Sequence, residues 1–416
     1  MELPQPKRDL LLQQLLLCLA FSIPWAKKAL PTLIVVLFAA ALVHVIRRKT
    51  TYQPTSLLAN LSLWSVFMLL VAGITYSEHP PNAWNELGIK LSLLVFPLLS
   101  FLLPNLNKEM SNRVHTAFVT GCFLFMSITL IRAAFITLEH GDFYYLTYDR
   151  LSWYMHPTYA ATYHALALFI LTEMALQKRY ILHRKSLHWA GALAILLFIA
   201  LLSSKAGYLS ALVTIVFACV RSFKRAQKPM ASIGVALGAL VIFTLTIALL
   251  PTTAERIQQA VQDIRTTETA TTGDNAEVAV AHSSSTQLRL VTWQAAWTLM
   301  RENAFGTGTG DTQSKLNTIY LQQGETYAAE HQLNAHNQFL QTGAELGWIA
   351  VLLLVACMVF CWQSARGEAA ATLFFGLCAL NFLFESFLEV QAGIVFFSFW
   401  VMVYSKHSTR RPTHEM

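Results

Sequence analysis

Apolar residues are concentrated in long blocks along the chain, and short polar segments separate one block from the next. An α-helix needs about 20 mostly apolar residues to cross a bilayer, and many blocks meet or approach that length. Charged residues make up only 13% of the chain, whereas soluble domains have about 25%. The sequence therefore predicts an all-α polytopic membrane protein with about twelve transmembrane helices. The predicted spans are residues 10–25, 31–46, 57–75, 87–103, 114–138, 158–176, 187–203, 207–220, 231–250, 345–362, 370–385 and 391–404.

Basic residues are concentrated in alternate segments between the predicted spans. These segments are residues 47–49, 108–113, 178–185, 221–228 and 366, and the termini share the pattern at 7–8 and 410–411. Because cytoplasmic loops carry an excess of Lys and Arg, the alternation predicts that both termini are cytoplasmic. The net charge of +7 is then explained by topology, and it does not indicate a nucleic-acid partner.

The longest polar segment, Pro251–His336, falls on the predicted outer side between spans nine and ten. Apolar residues at 257, 260, 261 and 264 have the spacing of a surface helix. After a Thr-, Ser- and Ala-rich stretch without period, Ser283–Thr286 offers N-caps for a second helix over Gln287–Met300. We therefore expect a helical loop domain at 251–344, between a membrane part at 1–250 and a second membrane part with a cytoplasmic tail at 345–416.

His336 is placed at a predicted boundary between water and membrane. The residues from Asn334 to Asn337 are polar and turn-prone, and helical spacing begins at Phe339. A neutral imidazole at this position can take a proton from a hydroxyl while remaining accessible to a lipid and a sugar. The alternative interpretation is an interfacial or capping histidine without a chemical role.

Two basic residues on the same predicted side are candidates for binding an anion. Arg289 lies in the first turn of the predicted loop helix, where a fixed charge and free N–H groups suit a phosphate or diphosphate, and Trp293 follows one turn later. Lys205 interrupts two apolar blocks beside Ser204, and ionisable residues at membrane depth indicate function by default. The alternatives are an exposed arginine and a lysine that extends to the lipid headgroups.

Aromatic and acidic residues near other span ends are weaker candidates. The Tyr and Trp residues before span six are typical of an interfacial aromatic belt, although His156 and Tyr159 at its end could contact a sugar. Glu385 and Glu389 lie one helical turn apart near a span end, where they either join a site or pair with a base. The bases considered for that pairing are Lys90 and Arg132.

Motifs for metals and nucleotide cofactors are weak in this chain. It has no Asp-x-Asp and no His-Glu-x-x-His sequence. The stretch from Gly306 to Asp311 resembles a nucleotide loop, but no strand precedes it, so a glycine-rich turn is the better interpretation. The six cysteines lie in apolar blocks and form no Cys-x-x-Cys pair, which favours apolar roles over disulfides or zinc. We expect neither a metal nor a cofactor.

Several of these positions together resemble a known signature. The run His336-Asn337-Gln338-Phe339-Leu340, followed by Gly343 and Gly347, is similar to the H-N-x-[FYW]-L…G…G pattern of the O-antigen ligase (Wzy-C) family. Upstream, Arg289 and Trp293 with the glycine-rich stretch resemble that family's R-x-x-x-W…N-P-x-x-G-x-G-x-G block. The resemblance covers the twelve spans and the large outer loop. Supporting similarities are Pro157–Tyr159 and Glu385–Gly393.

Members of this family are GT-C-type glycosyltransferases, which move a glycan from undecaprenyl diphosphate to an acceptor with inversion and without a metal. The resemblance implies that His336 is the base that activates the acceptor hydroxyl and that Arg289 anchors the donor diphosphate. The second anchor is usually an Arg in S-R-[GTA], and here Lys205 stands in its place, which keeps the charge but loses the bidentate fork. The residues expected to contact substrate are Asn337, Gln338, Tyr159, His156, Trp293 and Glu385.

The leading interpretation is an O-antigen ligase of the bacterial inner membrane with its active site facing the periplasm. Its partners are then a lipid-linked glycan donor, the lipid A–core of lipopolysaccharide or another glycolipid acceptor, and membrane lipids. Shared donor chemistry leaves open an O-antigen or exopolysaccharide polymerase and a protein O-oligosaccharyltransferase. A transporter of the lipid-linked sugar is the alternative from another class. It would be expected to show internal repeats and broken helices, neither of which is clear in the sequence.

Overall fold

The computed structural model describes residues 5–49, 52, 56–181, 184–225, short pieces of 234–248, 285–365 and 367–406. These residues are all-helical, without a β-strand among them. The helices are α1 (Gln5–Ser22), α2 (Leu30–Arg48), α3 (Leu57–Gly73), α4 (Pro80–Lys90), α5 (Ser92–Leu102), α6 (Lys108–His140), α7 (Tyr148–Ser152), α8 (Pro157–Leu176), α9 (Lys185–Leu201), α10 (Lys205–Arg225), α11 (Ser285–Glu302), α12 (Thr312–Gln322), α13 (Thr326–Glu330), α14 (Gln338–Ser364), α15 (Ala369–Phe384) and α16 (Gln391–Ser405).

The prediction of a helical membrane protein is confirmed. Within the described residues, seven helical segments are long and apolar enough to cross a membrane, and four shorter apolar helices coincide with further predicted spans. Half of the ninth predicted span, 231–250, lies outside the described residues, so the total of twelve stays a prediction. The helix of the tenth span begins at Gln338, next to Phe339, where the sequence predicts the start of helical spacing.

Helices α8 and α16 form the centre of the bundle. Every residue of α16 after Gln391 is buried, and α8 is buried without interruption from Pro157 to Leu171. Along these stretches both helices are therefore covered by other parts of the chain on every face. The two are held together by stacked rings, with the centroids of Tyr163 and Phe396 4.3 Å apart. This packed centre carries, at one end, the first turn of α8 and the segment between α15 and α16.

Helix α14 is broken at Gly347, a feature that the hydropathy pattern does not predict. Gly347 has φ 78° and ψ −174°, outside the helical region. The loop after α11 fills the break: the N–H groups of Thr307 and Gly308 donate to the carbonyls of Ala344 and Glu345, and the N–H of Trp348 donates to the carbonyl of Ala304. A helix interrupted within an apolar environment needs such partners for its freed backbone groups. The expected glycine-rich turn is therefore confirmed, and it supports the break.

Substitution of Gly347 by alanine is expected to destabilise the fold. The positive φ is unfavourable for an L side chain, and an added Cβ would lie 2.2 Å from the carbonyl oxygen of Ala304. Backbone strain of this kind costs roughly 1–3 kcal/mol before the clash is counted. The melting temperature of the detergent-solubilised protein measures the effect. Gly376→Ala is the matched control, because its Cβ would meet nothing within 4 Å; equal melting temperatures for the two variants would contradict the expectation.

Helices α11 to α13 form a small second core beside the membrane bundle. Ala295, Ala296 and Leu299 of α11 pack with Leu316 and Tyr320 of α12. The predicted second loop helix is confirmed as α11, whereas α12 and α13 were not predicted. The other predicted loop helix, around residues 254–264, lies outside the described residues. The division of the chain at residues 250 and 344 stays a prediction.

A buried aspartate fastens this second core to the bundle. Asp311 accepts hydrogen bonds from the backbone N–H groups of Glu78 and His79 and from Nδ1 of His79, just before α4 begins. Burial by itself raises the pKa of the Asp311 carboxyl, but these donors lower it by more, so the pKa lies below its ordinary value. The carboxylate is therefore ionised at neutral pH, where hydrogen bonds to it are at their strongest.

Candidate active site

Four helices begin around one site at the end of the bundle. The hydroxyl of Thr158, in the first turn of α8, lies 2.9 Å from that of Ser204, which directly precedes α10. Lys205, the first residue of α10, donates to the hydroxyl of Thr286 in the first turn of α11. The fourth helix, α14, begins two residues after His336. Because helix N-termini carry partial positive charge and exposed N–H groups, this arrangement favours an anion.

His336 is held in an unusual backbone conformation. Its φ is 45°, in the left-handed region that non-glycine residues rarely adopt. Neighbouring side chains fix it there: Asn334 accepts from its N–H, and the indole Nε1 of Trp293 donates to its carbonyl. The side chain remains 29% exposed. Strained residues of this kind concentrate at functional sites, since the surrounding structure has to hold them.

Glu385 joins His336 to Arg289. Its Oε2 lies 3.3 Å from Nδ1 of His336, and its Oε1 accepts from Nη2 of Arg289 at 3.0 Å. Burial by itself raises the pKa of Glu385, but the hydrogen bond to His336 and the nearby cationic groups outweigh burial, so the pKa lies below its ordinary value. An ionised Glu385 favours the tautomer of His336 with the proton on Nδ1, which leaves Nε2 as an acceptor.

Two polar groups beside Glu385 are buried without a hydrogen-bond partner in the described part of the chain. They are Nε of Arg289 and the hydroxyl of Ser386. Buried donors in native proteins almost always have a partner, so an unpaired one needs an explanation. A bound anion that reaches Arg289 would supply the missing acceptor. Ser386 was not among the predicted site residues, and its only signal in the sequence is its place next to Glu385.

His156 and Tyr159 lie on the other side of Glu385. His156 caps the start of α8, where Nδ1 of its exposed ring accepts from the N–H of Thr158 and therefore carries no proton. The ring of Tyr159 is buried and stacks on Phe387 at 4.8 Å. His156 is therefore positioned as a neutral hydrogen-bonding group near the paired charges, while most of the Tyr159 ring is used in packing.

The side chains of Asn337 and Gln338 form hydrogen bonds with other groups of the protein. The side-chain oxygen of Asn337 accepts from the first N–H groups of α14, and its nitrogen donates to the carbonyl of Leu383. Gln338 is buried, with its amide bonded to Thr342, Glu389 and the N–H of Leu388. These contacts orient the start of α14. Their predicted contact with substrate stays a prediction.

Glu385 and Glu389, which were considered for pairing with a base, have different partners in the structure. Glu389 pairs with Lys90, one of the two bases considered, while Glu385 pairs with Arg289 and His336. The two glutamates do not lie on a helical turn, because the backbone is extended at Glu385 and forms a 3-10 turn at 387–389. Arg132 contacts neither of them: it donates to the carbonyl of Arg150 and lies over the ring of Trp153.

Comparison with known families bears on the resemblance seen in the sequence. Residues 190–355 match the family model Wzy_C, described as O-Antigen ligase. This region is therefore similar to the O-antigen ligase domain. This confirms the resemblance, and no match was found among the curated proteins.

The Wzy_C domain contains only part of the site. Lys205, Arg289 and His336 lie within the matched residues, whereas His156 precedes them and Glu385 follows them. The structure therefore adds to the O-antigen ligase domain a carboxylate and an imidazole from helices outside it. The domain supplies the cations and the candidate base, and the flanking helices supply the groups that hold them.

Glu385→Gln is expected to change how the stability of the protein depends on pH. A folded-state pKa below the ordinary 4.5 means that the ionised carboxylate stabilises the fold above about pH 4.5, and that this stabilisation is lost as pH falls through the folded-state pKa. The melting temperature of the wild type should therefore exceed that of Glu385→Gln at neutral pH, and the gap should narrow in acid. The exposed Glu78→Gln is the control; a gap that does not change with pH would contradict the assignment.

Proposed function

We propose that this protein is an O-antigen ligase, which transfers a glycan from undecaprenyl diphosphate to a hydroxyl of the lipid A–core of lipopolysaccharide. One observation carries the proposal: a strained, partly exposed His336 is paired through Glu385 with an arginine whose buried Nε has no partner among the described residues. A base beside an anion anchor is the minimum that transfer from a diphosphate donor requires.

The base in this proposal is His336. Its Nδ1 faces Glu385, so Nε2 takes the proton from the acceptor hydroxyl as the new bond forms between that oxygen and C1 of the donor sugar. The bond from C1 to the diphosphate oxygen breaks, and its electron pair leaves with the diphosphate. Attack from the opposite face inverts the configuration at C1. Glu385 stabilises the imidazolium that results, as an oriented carboxylate does in other histidine-dependent transferases and hydrolases.

The leaving diphosphate needs positive charge, and this site offers it without a metal. The buried Nε of Arg289 has no partner in the described part of the chain, Lys205 lies at the start of α10, and helix N-termini surround both. Lys205 gives a point charge where a guanidinium would give a fork, so we assign the more directional contacts to Arg289. Both lie at the end of an apolar bundle, which allows two lipid-linked substrates to reach the site from the membrane.

Transfer by the purified full-length protein tests this function. The protein is incubated in detergent with undecaprenyl-diphosphate glycan and lipid A–core, with and without EDTA. We expect the glycan to move to the core at the same rate in both conditions. A glycan that lengthens on its own carrier would replace the ligase with a polymerase. Binding of the donor without any product would favour a transporter.

A further inference from the structure

A second charged cluster lies next to the site, and the proposed mechanism does not use it. Lys90, at the end of α4, is almost completely buried, with a side-chain exposure of 4%. Its Nζ lies 2.7 Å from Glu345 of α14, 2.8 Å from Glu389 and 3.7 Å from Glu86. Burying an ammonium group is costly unless it is paired, so this lysine is placed by its carboxylate partners.

The cluster gathers three carboxyl groups, those of Glu86, Glu345 and Glu389, around the ammonium group of Lys90. The three carboxylates are close enough together to hold a metal ion. The ammonium group of Lys90 is already within hydrogen-bonding distance of two of them, Glu345 and Glu389. The positive charge that holds these carboxylates together is therefore the lysine itself. Its removal would leave these carboxyl groups without the cation that bridges them, and the segments that carry them would be free to separate.

Hydrogen bonds connect the cluster around Lys90 to the residues next to His336 and Glu385. Oε1 of Glu389 accepts from the amide of Gln338, and Oε1 of that amide accepts from the N–H of Leu388. Gln338 is two residues from His336, and Leu388 is three residues from Glu385. The segment between α15 and α16 is thus fixed at its end by Lys90 and Gln338, and at its beginning by the contacts of Glu385.

We propose that Lys90 is a positioning residue for the transfer reaction, because it fixes the 385–390 segment through Glu389 and thereby holds Glu385 against His336. This inference rests on the proposed function. Lys90 touches neither His336 nor Glu385, and its effect is transmitted by the segment alone. A displacement of about 1 Å at a reacting group can reduce a rate about 10²-fold.

A double-mutant cycle tests this proposal. Lys90→Met is expected to lower kcat about 10²-fold, with donor affinity unchanged because Arg289 and Lys205 are intact. In a Glu385→Gln background, the same substitution should add little further loss, because the carboxylate through which Lys90 acts is already absent. If Lys90→Met lowers kcat by the same factor in the wild type and in the Glu385→Gln background, the two residues act independently. Lys90 would then have only a structural role, and the proposal would be overturned.

Two further variants keep the test decisive if Lys90→Met folds poorly. Glu389→Gln keeps the size and the contact with Gln338 but weakens the pairing with Lys90, so it should lower kcat in the same direction. Lys90→Arg keeps the charge and should recover part of the rate lost in Lys90→Met. Lys315→Met is the matched control, since this lysine pairs with Glu78 at the exposed surface, and it should leave kcat unchanged in both backgrounds.

Hydrogen exchange separates this proposal from the proposed function. The amide of Leu388 is protected by its bond to Gln338, so Lys90→Met should speed exchange in residues 387–390 whatever reaction the protein catalyses. Unchanged exchange there would overturn the positioning role even in an active enzyme. If hydrogen exchange is faster in Lys90→Met but the protein has no transferase activity, the proposed function is refuted. The role of Lys90 in fixing residues 385–390 would still be supported.

Discussion

His336→Ala is expected to lower kcat for glycan transfer about 10²- to 10⁴-fold, the usual contribution of a general base. The substitution removes the group to which the proposed mechanism assigns proton transfer from an acceptor hydroxyl: its Nδ1 is bound to Glu385, and its side chain is partly exposed. Donor binding should remain, because Arg289 and Lys205 are untouched. Single-turnover transfer and donor binding, measured on the same preparation, separate the two effects.

A nearby histidine provides the control for this prediction. His331 lies five residues upstream, exposed, with its ring stacked on Tyr327 at 3.9 Å. His331→Ala should leave kcat within about twofold of the wild type, since surface substitutions away from a site usually have small effects. A His336→Ala protein that retains most of its activity would remove the base from the mechanism and return His336 to a structural role at the start of α14.

Arg289→Met is expected to lower kcat about 10²- to 10³-fold, the loss measured when a single donor to a developing negative charge is removed. The guanidinium donates a hydrogen bond to Glu385 at 3.0 Å. Its buried Nε has no partner in the described residues and is therefore available to bind an anion. In the proposed reaction, the leaving diphosphate gains charge in the transition state and depends on that donor. The change in kcat and the donor dissociation constant together measure the loss.

Arg289→Lys distinguishes charge from geometry at the same position. A lysine keeps the positive charge but loses the planar fork, so we expect partial activity between the wild type and Arg289→Met. Arg301→Met is the control, because Arg301 is an exposed residue in the last turn of the same helix. Full activity in Arg289→Lys would show that charge alone is sufficient, and full activity in Arg289→Met would remove the donor anchor from the mechanism.

The elements with a local signal could be predicted from the sequence. Membrane helices are determined by runs of apolar residues, and each such helix in the described residues coincides with a predicted span. The helix that carries Arg289 and Trp293 was predicted from its N-cap residues and spacing, and the structure has it as α11. The glycine-rich turn was predicted because no strand precedes it, and Gly306, Gly308 and Gly310 all have the positive φ angles that favour glycine.

Features that depend on pairing through space could not be predicted in this way. The break of α14 at Gly347 is stabilised by a loop more than 35 residues upstream, so no local pattern contains it. The acidic partners of His336 and Lys90 were open choices in the sequence, because an ion pair is determined by helix packing and not by spacing along the chain. Glu385 and Glu389 were expected to lie one helical turn apart, either in a site or paired with a base, and they face different partners because that backbone is extended.

The sequence by itself determined that this chain is a helical membrane protein with His336, Arg289 and Lys205 as the candidates for chemistry. Hydropathy and motif spacing depend only on the order of residues along the chain, so they can be determined without knowing the fold. Only the tertiary structure decided which carboxylate orients the base, how a broken helix keeps its hydrogen bonds, and that a buried lysine is linked to the same segment. Each of these depends on groups brought together from distant helices, where burial makes the choice of partner energetically decisive.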